Sequence, residues 1–490
     1  MLHNYLSLLP EVSLAVCLPV MALVNRFREE NTPKTFFTLS KSFLLFSLFA
    51  VILFYNRSAF PAWLVNNPFT SLFKIIVCLF TLAWFYLSCK WFLNKNRSSF
   101  GFYSLGILVV LGLNLAVSSV NLLLTFVCLW GAFLLNYYLI RLRDEEDETV
   151  IAVSRRFLFF AVLFGVFFAA GIWLLWTLTG SLGYDDLYNY YALSGAPEIR
   201  NASGEGAFAA APGIRAYAAM GLIIAAMLFL LAVAPFHFWY ADVIGVSVLP
   251  VSGFLTIVPV FAYVACLADL VLNIFLPAYP VLREAVIIFG VLSLVIGVLN
   301  ANIEQNMRRL FAYSALYHTG VILLTLSAFN ENSLLSGFVY MLVYVLAMSG
   351  IYTAFLGFRS QGAYLRSISS IAGISTVRPY ISAAVLIFLL SLIATPPMLG
   401  FLGRLSVVNN LVIQGSYGII FIILLSVLML IYAYLKIIKS MYFDSRTNIF
   451  DRADKGVYIC LFINLVLVLI SILNPRYLMH DFEAMLVTIF

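Results

Sequence analysis

The sequence predicts an all-α polytopic membrane protein with about 14 transmembrane helices. Of its 490 residues, 63% are hydrophobic and only 10% are charged, whereas a soluble domain carries about 25% charged residues. Apolar runs of about 20 residues, the length that a helix needs to cross a bilayer core, recur along the whole chain. Two of these runs contain prolines deep inside them, at Pro235 and at Pro396 and Pro397. The sequence therefore predicts a polytopic membrane protein in which two of the helices are interrupted.

Fourteen apolar runs are long enough to cross a membrane, and the charge of their loops predicts an orientation. They lie near residues 5–25, 35–55, 69–92, 101–118, 121–140, 156–179, 215–239, 247–275, 282–300, 309–328, 334–357, 380–410, 418–438 and 456–473. The loops on one side, with their flanking span ends, carry 20 Lys and Arg, against five on the other side. By the positive-inside rule, both termini lie outside, on the periplasmic side of a bacterial inner membrane. The net charge of +6 is then a topology signal that gives no support to nucleic-acid binding.

The interior prolines indicate where function is located. A proline inside a helix removes one backbone hydrogen bond and clashes with the preceding turn, and in lipid the freed carbonyls need another partner. Broken helices at corresponding places in two halves of a membrane protein point to the path of a transported ion or substrate. We therefore expect the functional residues to lie near Pro235 and near Pro396 and Pro397.

Two further features have structural interpretations. The six cysteines lie in or beside apolar runs without metal-ligand spacing, so we interpret them as buried apolar residues and predict no metal site. Residues 180–214 contain several glycines and a tyrosine-rich stretch, a composition that is typical of a loop on the outer surface.

Several motifs resemble one membrane-protein family, the antiporter-like subunits of respiratory complex I. Residues 235–243 (PFHFWYADV) are similar to the family's PFHFWAPDV segment, and residues 306–314 (NMRRLFAYS), followed by His318, are similar to its IKRLLAYS segment. Residues 390–403 (LSLIATPPMLGFLG) resemble its LSLAGIPP segment. The Phe-Trp and Asp-Val pairs after His237 favour the N-type subunit over the M-type. The absence of a lateral helix after the last span favours it over the longer L-type.

The resemblance implies a fold, a location and partners. It implies fourteen helices with two inverted five-helix repeats, at residues 101–275 and 276–440, between an N-terminal three-helix segment (1–100) and a C-terminal helix and tail (441–490). It also implies a place in the membrane arm of an NADH–quinone oxidoreductase beside M-, L-, K- and J-type subunits. NADH, FMN, iron–sulfur clusters and quinone are implied in those and other partner subunits, and this chain carries no cofactor.

The sequence departs from the family at the buried titratable positions of the proton path. The family's lysine before the first broken proline falls on Leu230, its eighth-span lysine on Val260, and its fifth-span glutamate near Trp130. Leucine and valine cannot titrate, whereas a buried lysine can release its proton because desolvation disfavours its charged form. These three positions therefore cannot take part in the lysine relay that the resemblance implies.

The family's twelfth-span lysine falls on Arg404. An arginine stays protonated in proteins, so it can hold a carboxylate, orient water or fix a local field, but it is a poor proton carrier. A charge at membrane depth costs at least about 2.5 kcal/mol on insertion scales. We therefore expect either an interior partner or cavity for Arg404, or a side chain that reaches to the membrane surface.

Three more basic side chains are candidates for a proton path. His237 follows the first break, and it either passes a proton or bonds the exposed backbone. His318 lies one turn after Ser314, where it either lines the interior or bonds a neighbouring helix. Arg155 opens the sixth predicted span, within a stretch that matches the family.

Four charged residues have structural interpretations. Lys74 matches a family lysine and is predicted to anchor packing, whereas Glu11, like Glu304, is expected to form a local ion pair. Glu304 and Arg308 are spaced as i and i+4, which predicts a local ion pair at the inner boundary.

Three functions remain open from the sequence. In the first, the chain is a proton-translocating subunit that uses water, His237, His318 and Arg404 in place of lysines. In the second, it is a structural and coupling subunit of the same membrane arm. In the third, it is a subunit of a multisubunit cation/proton antiporter. The Phe-Trp motif and the short C-terminus argue against the third. The missing titratable groups favour the second, and the helix breaks show that the architecture still matters.

Overall fold

The computed structural model describes residues 6–27, 33–55, 63–95, 98–142, 147–194, 213–327 and 330–473, and these residues are almost entirely α-helical. The first half contains helices α1 (Leu9–Phe27), α2 (Pro33–Leu53), α3 (Pro68–Lys95), α4 (Phe100–Ser118), α5 (Leu122–Leu134), α6 (Asn136–Ile140), α7 (Glu148–Thr179), α8 (Tyr184–Ser194), α9 (Ile214–Leu230), α10 (Tyr240–Val246), α11 (Leu249–Ile257) and α12 (Pro259–Leu270). A π-helical turn (Val271–Phe275) and a 3₁₀ turn (Leu276–Ala278) follow.

The second half begins after these turns. It contains α13 (Tyr279–Ile303), α14 (Met307–Leu326), α15 (Glu331–Gly357), a hairpin of β1 (Arg359–Ser360) and β2 (Ala363–Tyr364), 3₁₀ turns at Ser369–Ile371 and Ile374–Thr376, α16 (Pro379–Ile393), α17 (Leu399–Ile413), α18 (Tyr417–Tyr442) and α19 (Lys455–Leu473). The strands β1 and β2 pair antiparallel.

The helices are long and apolar enough for a protein that crosses a membrane several times. Among the described residues, nine helices meet the length and hydropathy that a crossing requires, or ten if Ser369–Thr376 and α16, which meet at a bend of 114°, are counted together as one span. One of the nine is the continuous stretch Leu249–Ile303, whose 55 residues exceed the thickness of a bilayer core. The shorter apolar helices include α9 and most of α17 and α19. The predicted all-α polytopic membrane fold is confirmed.

Both interrupted helices share one backbone geometry. At the first break, Ala232 has a φ of 54° and the Ala234–Pro235 peptide is cis; at the second, Ala394 has a φ of 64° and the Pro396–Pro397 peptide is cis. The left-handed alanine ends each helix, as a C-terminal cap does. The amide after each alanine donates to a carbonyl five residues earlier, from Val233 to Leu228 at 3.0 Å and from Thr395 to Leu390 at 3.1 Å.

The segment 180–214 is not wholly a loop. Residues Tyr184–Ser194 form helix α8, and residues 195–212 lie outside the described part of the chain. Three consecutive turns of α8 bury Tyr184, Leu187 and Tyr191, while Asp185 and Asp186 between them are exposed. The glycine and tyrosine content of this segment predicted a loop, but its buried residues recur with the spacing of one helix face.

Candidate functional site

Arg404, on α17, lies in the interior and reaches back to the end of the preceding half-helix. Its side chain is buried, and its guanidinium donates to the carbonyls of Ile393 at 2.6 Å and of Leu392 at 3.3 Å. These two carbonyls are at the end of α16, where the break leaves them without helical partners. The same guanidinium donates to the Tyr340 hydroxyl at 3.4 Å. Arg404 therefore does not reach to the membrane surface; it caps the broken helix.

No ion pair involving Arg404 is found in the described part of the chain. A cation at a helix C-terminus is stabilised by the helix dipole, and the ring of Tyr317 lies 5.9 Å from the guanidinium carbon. Carbonyl oxygens, a hydroxyl and an aromatic face thus take the place of a carboxylate. A fixed positive charge results, because arginine does not lose its proton in proteins.

A chain of hydrogen bonds connects Arg404 with His318 on α14. The Tyr340 hydroxyl lies 2.8 Å from His318 Nδ1, and the Tyr434 hydroxyl lies 3.4 Å from His318 Nε2. Tyr434 is in turn hydrogen-bonded to Ser314. A neutral imidazole that carries its proton on Nε2 satisfies all of these contacts, because Tyr340 then donates to Nδ1. His318 joins α14 to α15 and α18, so it bonds neighbouring helices and also lines the interior.

A small cavity lies in the region of Leu230 and Val260, the positions where the resemblance places lysines. Its volume is about 30 Å³, which is room for about two water molecules. Its lining includes no lysine, arginine, histidine or carboxylate, and its polar members are Asn136, Tyr240, Tyr263, Tyr344 and Thr319. The described residues therefore supply no amine, imidazole or carboxyl group that replaces the relay here.

Three polar atoms around this cavity are buried without a hydrogen-bond partner among the described residues: Asn136 Oδ1, Tyr263 Oη and Tyr344 Oη. The Tyr344 ring also lies 4.9 Å from the His318 ring. The cavity thus adjoins the Arg404–His318 chain through Tyr344. Neutral hydroxyl and amide groups can orient water but hold no charge.

Trp130, at the position where the resemblance places the fifth-span glutamate, has a structural role. Its indole donates to the Ala161 carbonyl at 2.9 Å, and the ring packs so closely on Gly165 that a Cβ there would lie 2.4 Å from Trp130 Nε1. A tryptophan with its only donor engaged has no proton to pass.

The first break is capped by neutral groups. The Trp239 indole donates to the Phe229 carbonyl at 3.2 Å, and the Ala234 amide donates to Ser293 Oγ at 2.9 Å. His237 is half-buried beside Pro235, and its Nδ1 has no partner among the described residues. The structure therefore brings His318 and Arg404 together but leaves His237 in the other half.

The remaining charged residues lie away from this interior. Arg155 is exposed at the start of α7. Lys74 Nζ lies 2.6 Å from Glu11 Oε1 and donates to Asn66 Oδ1 at 2.6 Å, so a buried pair joins α3 to α1. In the described residues, no cluster of three or more His, Cys, Asp or Glu side chains could hold a metal ion.

The predicted pair of Glu304 and Arg308 is wrong. Glu304 lies 2.7 Å from Arg309 Nε instead, whereas Arg308 is buried and donates to the Ser247 carbonyl. The helical i, i+4 rule does not apply, because α13 ends at Ile303 and α14 begins only at Met307. A helix boundary therefore separates the two residues of the predicted pair.

The sequence interpretation missed the tyrosines. Tyr340, Tyr344 and Tyr434 bring hydroxyl groups to His318 and the cavity from α15 and α18. The signal available in the sequence was the spacing of Tyr340 and Tyr344, one turn apart on one helix face.

The comparisons with known proteins agree with this architecture. Residues 119–430 match the profile of the family described as NADH:quinone oxidoreductase/Mrp antiporter, TM. NADH-quinone oxidoreductase subunit N of Rhodospirillum rubrum is 26% identical over 90% of this chain and 88% of its own length. The same subunit of Bartonella bacilliformis is 26% identical over 94% and 93%.

Two solved structures share the fold. A chain of respiratory complex I from Thermus thermophilus is 24% identical with a TM-score of 0.78, covering 96% of this chain and 98% of its own. A chain of the Mrp complex from a Dietzia species is 17% identical with a TM-score of 0.83, covering 99% and 96%. The resemblance to the N-type antiporter-like subunit is confirmed. With well over half of its length matched, from α5 to α18, the chain belongs to the NADH:quinone oxidoreductase/Mrp antiporter transmembrane family.

Proposed function

We propose that the chain is the N-type membrane-arm subunit of a complex I-type NADH–quinone oxidoreductase. The relatives that carry the subunit N name match it over about nine-tenths of both chains, which supports this subunit over the more distant Mrp component. In this proposal the partners are M-, L-, K- and J-type subunits in a bacterial inner membrane. NADH, FMN, iron–sulfur clusters and quinone belong to partner subunits, so this chain contributes to the enzyme without a redox centre.

In this proposal the chain crosses the membrane fourteen times and contains two five-helix repeats, 101–275 and 276–440. The helix pairs that pack together support the repeats, because each packed pair in the first repeat has a counterpart in the second. The pair α4–α5 corresponds to α13–α14, and α4–α12 corresponds to α13–α18. The packing of α7 on α9 and α10 corresponds to the packing of α15 on α16 and α17. The matching backbone of the two breaks supports them too. Because five is an odd number of crossings, the second repeat enters from the opposite side and is inverted. Residues 1–100 and 441–490 flank the repeats.

Bonds between loops support the proposed orientation. One group contains the segments before α3, after α4 and after α7, which are joined by backbone hydrogen bonds. The Val65 amide donates to the Ser118 carbonyl at 2.8 Å, and the Leu122 amide donates to the Leu182 carbonyl at 2.9 Å. A second group contains the β1–β2 hairpin, with Lys95 donating to Gly362 at 3.1 Å and Ser360 bridged to Phe450. Alternating crossings put these two groups on opposite sides. The second group contains the loops rich in Lys and Arg, so we assign it to the inside and both termini to the outside.

Within the membrane arm, the chain acts as a brace and coupling element and not as a lysine relay. The single observation that carries this proposal is the neutral lining around Leu230 and Val260. At the second break, the charge of Arg404 on α17 is bonded to the carbonyls at the end of α16 and holds the two half-helices together. A permanently charged cap stabilises one arrangement of the break and does not change charge during turnover.

One observation favours a second candidate, proton translocation. The hydrogen bonds from Tyr340 through His318 to Tyr434 and Ser314 form a chain of groups that can each donate and accept a proton. If this chain conducts, Arg404→Leu lowers the number of protons moved per quinone reduced, because it removes the charge that orients Tyr340.

The experiment is a measurement of proton-to-electron stoichiometry in the whole complex reconstituted in vesicles. His237→Ala and His318→Phe are compared with the unmodified complex and with Lys90→Gln, a change at an exposed side chain of α3. If the chain is a brace, every variant that assembles normally keeps the wild-type ratio. A lowered ratio in His237→Ala or His318→Phe, with normal assembly and quinone reduction, rejects the brace in favour of conduction.

A further inference from the structure

Asp269, near the end of α12, differs from other buried and half-buried carboxylates of the described residues. Glu11 is paired with Lys74, and Asp242 is paired with Arg309 at 2.9 Å. No Lys, Arg or His of the described residues lies within ion-pairing distance of Asp269. Its Oδ1 accepts one hydrogen bond, from the Asn273 side-chain amide at 2.7 Å. A carboxylate on an apolar helix without a cation is most stable in its neutral, protonated form.

The surface helix α8 covers this region from the outside, and it is firmly held. The Tyr184 amide donates to the Val120 carbonyl at 3.0 Å, and its hydroxyl lies 2.6 Å from Thr125 Oγ1. The ring of Tyr191 packs edge-on against Phe275, with centroids 5.5 Å apart. Burial raises the pKa of the Tyr184 hydroxyl, and Asp269 in its ionised form lies close enough to add to that rise. Asp269 thus lies beneath α8 and remains partly exposed.

The helix itself changes geometry directly after Asp269. Residues Val271–Phe275 form a π-helical turn, and Asn273 in that turn supplies the bond to Asp269. Such turns are uncommon and occur frequently at functional sites. Asn273 lies within this turn, four residues after the carboxylate that its side-chain amide contacts.

Polar groups also continue inward from Asp269. Cys266 and Tyr263 precede it at successive spacings of three residues on α12, which puts the three on neighbouring turns of one helix. Tyr263 lines the central cavity, where its hydroxyl has no partner. The groups near Asp269 that titrate are therefore Cys266 on its own helix and Tyr184 on α8, both within reach of its charge.

We propose that Asp269 is a reversible proton-binding site that exchanges with water on the outer face of the subunit. The carboxylate takes a proton from hydronium and leaves water, and the reverse step returns the proton to water. Asn273 positions the carboxyl group, and α8 limits its contact with solvent. The site does not require the chain to conduct protons across the membrane, so it is independent of the brace proposal.

The test is infrared difference spectroscopy of the whole purified complex during pH titration, in H₂O and in D₂O. A protonated carboxyl gives a C=O band that shifts in D₂O. We expect such a band to persist at about pH 6, where an exposed aspartate with a pKa of about 3.9 is ionised. Asp269→Asn removes the band, and the matched control Asp185→Asn, on the exposed side of α8, keeps it.

Two results would overturn the proposal: a band that persists unchanged in Asp269→Asn, or no protonated carboxyl band at about pH 6 in the unmodified complex. If Asp269→Asn does not assemble, Asn273→Ala serves instead, because it removes the amide bond and retains the carboxyl group. A band that shifts in frequency in Asn273→Ala supports the site, and an unshifted band contradicts it.

Discussion

The two helix breaks have the same backbone and opposite chemistry. Each has a left-handed alanine three residues before the proline of a cis peptide. At the second break, the Arg404 guanidinium caps the carbonyls of Leu392 and Ile393. At the first, the Trp239 indole caps Phe229, and Ser293 accepts the amide of Ala234. A break in a membrane helix therefore needs its polar backbone groups satisfied but needs no titratable side chain.

The energetic terms explain why both solutions are stable. An arginine at membrane depth costs about 2.5 kcal/mol or more, and each hydrogen bond from a charged donor returns about 1.5–3 kcal/mol. Arg404 makes two such bonds to helix-end carbonyls, where the dipole adds to the attraction. Trp239 avoids the cost of the charge and forms a weaker neutral bond. We expect loss of the guanidinium to cost more than loss of the indole, because the Phe229 carbonyl also accepts from the Ala232 amide at 3.1 Å.

The largest expected effect comes from Gly400→Ala at the second break. A Cβ at Gly400 would lie 1.7 Å from the Ser391 carbonyl oxygen, so the two half-helices must move apart. Such overpacking against backbone costs about 3 kcal/mol or more. We expect loss of assembly, or a large fall in the thermal midpoint of the purified complex.

The matched control is Gly418→Ala on α18, where a Cβ meets nothing within 4 Å. Alanine is a better helix former than glycine by about 1 kcal/mol, so this variant keeps or raises the midpoint. A normal midpoint for Gly400→Ala would mean that the close approach at the second break is not needed.

The second prediction tests the charged cap directly. Arg404→Leu leaves two buried carbonyls without donors, and each orphaned group costs about 1–3 kcal/mol. Arg404→Lys, which keeps the charge but loses the planar fork of donors, gives a smaller loss. Thermal unfolding of the assembled complex measures both. If Leu and Lys destabilise equally, the charge does not hold the second break.

The third prediction concerns the neutral cap. Trp239→Phe keeps an aromatic ring and removes the indole donor to Phe229, so we expect a loss of about 1 kcal/mol. The comparison between the breaks requires this loss to be smaller than that of Arg404→Leu. A larger loss in the same unfolding measurement would reverse the ranking of the two caps.

The breaks show how far the sequence can predict this site. The prolines predicted where the helices are interrupted, because proline lacks the amide that a helix interior requires. The motif around Arg404 predicted a charge near the second break. The partners of His318 could not be predicted, since Tyr340 and Tyr434 are 22 and 116 residues away along the chain. Periodicity reports which face of a helix is buried, but not which helix it meets.

The smallest expected effect is at Asp242. The number of residues from the cis proline of the first break to Asp242 equals the number from the cis proline of the second break to Arg404. Asp242 uses its charge differently: it pairs with Arg309 at 2.9 Å and with Arg156 at 3.4 Å, on partly exposed side chains. Exposed and partly exposed pairs contribute about 0.2–1 kcal/mol. A double-mutant cycle of Asp242→Asn and Arg309→Gln should give a coupling energy in that range.

The matched pair for this cycle is Lys439 and Asp444, 3.7 Å apart with more exposed side chains, for which we expect weaker coupling. Both cycles are measured by thermal unfolding at low and high salt, because screening weakens exposed pairs. If the Asp242–Arg309 coupling exceeds the change caused by Arg404→Leu, the first break is held by its charge after all. In that case the contrast between a neutral and a charged break fails, since both half-helices would then be fixed by an ion after the proline.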